Sequence, residues 1–70
     1  MQHTAVSSSN LASVGYDSRT GTLQIAFRQG GVYNYYNVPD FVYQALMNAS
    51  SHGKYHAYYI KGRYRYRRVR

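Results

Sequence analysis

Residues Thr22–Val38 read TLQIAFRQGGVYNYYNV, and this stretch decides the fold. Leu23, Ile25 and Phe27 alternate with Gln24, Ala26 and Arg28. A period of two places the first set on one face of a β-strand and the second on the other. Gln29-Gly30-Gly31 follows as a tight turn, because glycine reaches the positive φ that a short hairpin needs. Val32 to Val38 is the returning strand, rich in the Tyr and Val that suit a pleated, half-buried surface. On it Tyr33 and Tyr35 share one face, while Val32, Asn34 and Tyr36 share the other.

Upstream, Leu11 to Tyr16 reads as a further strand with Ala12, Val14 and Tyr16 on one face. Asp17-Ser18-Arg19-Thr20-Gly21 has Asp at its start and Gly at its end, as a bulged hairpin loop prefers. Three strands joined by short turns make an antiparallel meander. Residues 1–9, ending in Ser7-Ser8-Ser9, are expected to be a flexible N-terminal segment, and residues 10–70 a single domain. Downstream, Pro39 stops the pairing and suits a first helical turn, with Asp40 complementing the helix dipole. Phe41, Val42, Ala45, Leu46 and Ala49 form one apolar helical stripe. Ser51 can cap a short second helix over about His52 to Lys61, stopped by Gly62, with Tyr55 and Tyr59 on its inner side. Arg63 to Val69 alternates strictly and predicts a last strand. The expected class is α+β: a three-stranded antiparallel meander, then one or two short helices, then a basic C-terminal strand.

Seventy residues make one small domain with a thin core. There is no Cys, hence neither a disulfide nor a thiolate metal site to reinforce it. Ten tyrosines point instead to aromatic packing or to pairing with a second copy. No apolar run approaches the ~20 residues of a membrane span, so no integral membrane contact is expected. The start of the chain lacks the basic and apolar regions of a signal peptide, and a cytoplasmic location is expected.

Charge is confined to one end. Arg19 and Arg28 cancel Asp17 and Asp40, so Lys54, Lys61, Arg63, Arg65, Arg67, Arg68 and Arg70 carry the whole net charge of +7. In strand geometry Arg63, Arg65 and Arg67 share a face, their guanidiniums about 7 Å apart, on the scale of phosphates along one nucleic-acid strand. Arginine suits this task because its planar fork gives a phosphate two parallel hydrogen bonds and stacks on bases. Charge on an edge strand also blunts aggregation, but one or two residues suffice for that. Six cations in Lys61–Arg70 exceed that need, and polyanion contact outranks edge protection. Tyr64 and Tyr66 either stack bases or form the inward face of the sheet. Tyr33, Tyr35, Tyr55 and Tyr59 are read as core, and Tyr36 and Tyr58 as rings available to a ligand.

His52 and His56 are four apart, yet His3, Asp17 and Asp40 are not at ligand spacing, so no metal site is expected. Histidines facing solvent or backbone are the simpler reading. Without Cys or Glu, and with no nucleophile elbow around the serines, no catalytic residues and no cofactor are expected.

Val6-Ser7-Ser8-Ser9-Asn10, Val14-Gly15-Tyr16-Asp17, Gly31-Val32-Tyr33-Asn34-Tyr35-x-x-Val38-Pro39, Ser51-x-Gly53-x-Tyr55 and Ile60-x-Gly62-x-Tyr64, in that order, resemble the KTSC domain. This small bacterial domain occurs alone and at the C-terminus of some lysyl-tRNA synthetases. The resemblance implies a small α+β domain that binds RNA, and it supplies no catalytic residues. The expected function is nucleic-acid binding, to RNA or DNA, mainly through phosphates. Lys54, Lys61, Arg63, Arg65, Arg67, Arg68, Arg70, Tyr36 and Tyr58 are the candidate contacts. The alternative is a protein-interaction module acting as a homodimer.

Overall fold

A computed structural model describes all of residues 1–70. Five strands form one antiparallel sheet: β1 (His3–Ala5), β2 (Leu11–Asp17), β3 (Thr22–Phe27), β4 (Val32–Tyr35) and β5 (Tyr66–Arg68). They lie side by side in chain order. Between β4 and β5 the chain forms α1 (Asp40–Asn48), α2 (His52–Tyr55) and a π-helical segment (His56–Ile60) that continues α2. No helix is long and apolar enough to cross a membrane.

The β2–β3–β4 meander follows the alternation in the sequence. Leu23 pairs with Tyr16 on one side and Tyr35 on the other, and Ile25 pairs with Val14 and Tyr33. These rows share the face on which the helices pack. Leu11, Leu23, Ile25, Leu46 and Ile60 are fully enclosed there. Gly30 and Gly31 both hold positive φ in the β3–β4 turn, the left-handed geometry that a side chain would resist.

The sheet has five strands where a meander of three and one C-terminal strand were expected. The added strand is β1, which pairs His3 with Gly15 and Ala5 with Ser13 in the stretch read as a flexible segment. It runs over Gly15, where a Cβ would stand 2.8 Å from the His3 ring and 2.9 Å from Met1. A side chain at this position would have to displace both. A register shift between Leu11 and Ser13 also changes the reading of β2. The extra residue, Ala12, lets both Leu11 and Val14 point inward, whereas strict alternation had placed Ala12 inside.

The helices carry two further corrections. In α1 the inward positions are Val42 and Leu46, and Phe41 is 74% exposed. After α2 the inward row is His52, His56 and Ile60, and Tyr59, read as core, is 53% exposed. Tyr55 remains half-buried against the core, with the Tyr59 ring 4.8 Å from its own. Ser51 caps α2 as expected, its Oγ accepting from the Lys54 amide at 3.3 Å. Gly62, at φ +79, ends the run.

The opposite face of the sheet carries a row of polar side chains. His3 accepts from Ser13 Oγ and donates to Gln24 Oε1, each at 2.7 Å, and Gln24 Nε2 donates to Asn34 Oδ1 at 2.8 Å. Asn34 is paired with Arg67, so the row ends at the basic strand.

Candidate nucleic-acid interface

The C-terminal segment is ordered by its pairing to β4. Tyr35 lies opposite Tyr66, Asn34 opposite Arg67 and Tyr33 opposite Arg68. The Tyr36 amide donates to the Arg65 carbonyl at 2.9 Å, and the Val69 amide to the Val32 carbonyl at 2.7 Å. The register puts Arg65 and Arg67 on the polar face and Tyr66 and Arg68 on the helix side. The expected ladder of Arg63, Arg65 and Arg67 is therefore shorter by one. The strand expected over Arg63–Val69 is confined to Tyr66–Arg68, and Arg63 falls in a turn with Lys61 and Gly62, because Gly62 leaves the helix with positive φ. Arg63 is held elsewhere, its Nε donating to the Tyr58 carbonyl at 3.2 Å. Arg68 lies over the Tyr33 ring, 5.9 Å from its centre, and donates to the Arg70 carbonyl at 2.7 Å.

Lys54, Lys61, Arg63, Arg65, Arg67, Arg68 and Arg70 are all exposed. None meets a carboxylate: the one ion pair of the molecule joins Arg19 and Asp17, at 3.7 Å. Of the aromatic candidates, Tyr58 is exposed and Tyr36 is half-buried. Tyr64 is half-buried against the core, whereas Tyr66 is 62% exposed.

Beside the basic strand, on the helix side of the sheet, a cleft of about 500 Å³ opens between the β3–β4 turn and the π-helical segment. Tyr35 and His56 are its buried floor; Phe27, Tyr33 and Tyr66 line it, and Lys61 stands at its edge. Gly30 and Gly53 complete the lining, and Asn10 and Gln29 bring carboxamides. The rings meet at angles. Phe27 is edge-on to Tyr33 at 5.5 Å and to His56 at 5.2 Å, and Tyr66 is tilted 6.0 Å from both Tyr33 and Tyr35.

The Tyr35 hydroxyl donates to His56 Nε2 at 2.8 Å. Burial, reinforced by Tyr33 and Tyr66, pushes the Tyr35 phenol up to about 12. Burial, reinforced by the Lys61 charge, holds the His56 imidazole below its ordinary value. The pair is thus a neutral donor and a neutral acceptor at physiological pH. His56 thus departs from the solvent- or backbone-facing role expected of the histidines, because it lies on the inward row, whereas His52 fits it: its Nδ1 donates to the Leu46 carbonyl at 2.8 Å.

The cleft was missed by sequence reasoning. Its one visible signal is the spacing of His52, His56 and Ile60, an inward row with a histidine in the middle. The π-helical segment is a local feature that often marks a functional site, and here it begins at His56.

The KTSC domain family matches residues 7–64, from the approach to β2 to the segment just before β5. The chain belongs to the KTSC domain family. A crystal structure of a KTSC domain protein from Yersinia pestis shares the fold with a TM-score of 0.96 and 39% identity, over 99% of this chain and 97% of that one. An uncharacterized protein of Stutzerimonas stutzeri (strain A1501) is 40% identical over 99% of both chains. A lysine–tRNA ligase of Trichormus variabilis is 43% identical over 54 residues, which are 77% of this chain and 10% of the ligase. The KTSC domain thus occurs both as a small protein and as a small part of a ligase. In this KTSC domain the central Tyr-x-Tyr pair, Tyr33 and Tyr35, faces the cleft, with Tyr35 at its base and Tyr33 under Arg68.

Proposed function

We propose that this KTSC domain binds nucleic acid through its C-terminal segment, chiefly by contact with phosphates. The observation that carries the reading is a cluster of seven exposed cations with no carboxylate partner. Unpaired charge of one sign on a small domain favours a polyanion, and arginine favours phosphate. Arg67 projects from the polar face of β5 and Arg65 stands just before that strand, Lys61 and Arg68 lie toward the cleft, and Lys54, Arg63 and Arg70 extend the field. Similarity to a segment of lysine–tRNA ligases, enzymes named for an RNA substrate, supports the same class of partner. The domain acts here as a binding module and not as a catalyst.

Phosphate contacts position a strand without reading its sequence, so preference among sequences should be weak. A panel of single-stranded DNA, duplex DNA, single-stranded RNA and tRNA, titrated at two salt concentrations, tests the proposal. With roughly four to six phosphates neutralised, log affinity should fall against log salt with a slope of about −4 to −5 on duplex DNA. Absence of binding to every member of the panel at low salt would refute it.

A further inference from the structure

We propose that the cleft between the β3–β4 turn and the π-helical segment seats one unpaired nucleobase of the bound strand. This rests on the phosphate-binding reading and adds to it a preference for unpaired bases. Three observations meet at the cleft. Its volume, about 500 Å³, lies in the range of small-ligand sites. Its lining is aromatic, with the exposed Tyr66 ring standing beside Phe27, Tyr33 and Tyr35. A flat base gains stacking area on such rings whatever its identity. Lys61 and Arg68 flank the opening, one at the edge and one over Tyr33, so a base inside leaves its own phosphates beside two cations that meet no carboxylate.

The polar groups fit the same occupant. Asn10 and Gln29 each offer a carboxamide, able to donate to and accept from a base edge. The floor is fixed by the hydrogen bond between Tyr35 and His56, and a rigid floor need not be ordered when the base enters. Paired bases are stacked within a duplex and cannot enter, which turns a geometric fact into a preference for single strands.

The test uses the whole chain with short oligothymidylate and with an otherwise identical oligomer whose sugars lack bases. Two variants accompany the wild type. Tyr66→Ala removes an exposed wall, and Ala57→Leu places bulk in the cleft from an exposed helical position. The wild type should bind the base-bearing strand about tenfold more tightly than the abasic one, in line with one stacked base. Both variants should lose most of that difference while keeping the affinity for the abasic strand. A fluorescent purine in the strand should be quenched by the wild type and not by Ala57→Leu.

Equal affinity of the wild type for both strands would overturn the base-binding proposal and leave phosphate binding standing. A gap that persists in both variants would also overturn it, by moving base contact elsewhere. Failure of both strands to bind would remove the phosphate reading and this inference together. Binding of a proline-rich peptide to the cleft, with oligonucleotides indifferent to base removal, would reassign it to a protein partner.

Discussion

Two ends of the same sheet are finished differently. Over β2 and β3 the alternation of apolar side chains is sealed by α1: Leu11, Leu23, Ile25 and Leu46 are shut from water. Over β4 and β5 the same alternation continues with tyrosines, but the layer above them is the π-helical segment, and the surface stays open as a cleft. A leucine core closes on itself because nothing in it requires water. A tyrosine layer has hydroxyls to satisfy: Tyr35 meets that need inside, at His56, while Tyr66 stays at the water, and the site between them is left half open. The charge follows this division. The sealed end is neutral, and all of the net charge lies from Lys54 onward, beside the open end.

The largest effect is expected in the sealed half. Leu46→Ala should cost about 2–5 kcal/mol of stability, as a large-to-small change in an enclosed site does. Urea unfolding would measure this, and a cost under about 1 kcal/mol would mean that α1 does not seal the core. Next comes Tyr35→Phe at the floor of the open half. It removes the donor to His56 Nε2 and should cost about 1–3 kcal/mol, since a buried acceptor loses its partner. The thermal midpoint should fall, and an unchanged midpoint would show that the pair is not formed in solution.

The same pair makes stability depend on pH. His56 titrates near 6.5 in an unfolded chain and lower in the fold, where burial and Lys61 disfavour its charged form and Tyr35 donates to its ring. The unfolded state therefore binds more protons between those two values. The His56 contribution is fully present above pH 6.5 and is lost as pH falls through the folded value. Unfolding midpoints measured across that window should decline more steeply for the wild type than for His56→Phe. The smallest stability effect is expected at Tyr66→Ala, within about 0.5 kcal/mol, because the ring is largely exposed. A large loss of stability there would make Tyr66 part of the core and not a wall of the site.

The sealed half was the more legible in sequence. Leu23, Ile25 and Phe27 at spacing two, with glycines at the β3–β4 turn, specify that hairpin by local rules alone. β1 was not legible because His3–Ala5 has no alternation of its own; what holds it is pairing with β2, about ten residues away, and the bonds of His3 to Ser13 and Gln24. The bulge at Ala12 was hidden for a similar reason, since only the pairing with β3 reveals it. At the open end the composition exposed the cations, but not the effect of Gly62, which withdraws Arg63 from the strand. The cleft was the least legible feature. It draws its lining from distant places, among them Asn10, Phe27, Gly30 and Gly53, and depends on a π-helical segment that turns His56 inward and leaves Tyr59 outside.

The central claim is that unpaired cations of the C-terminal segment hold phosphates, and Arg65 and Arg67 are the two that the sheet aligns. The most direct measurement is the salt dependence of oligothymidylate affinity for the wild type and for the double variant Arg65→Ala/Arg67→Ala. The wild-type slope of log affinity against log salt should be about −3 to −4 on a single strand, and the double variant should be shallower by about 1.4 while remaining folded. Equal slopes for the two proteins, or an affinity indifferent to salt, would contradict the account.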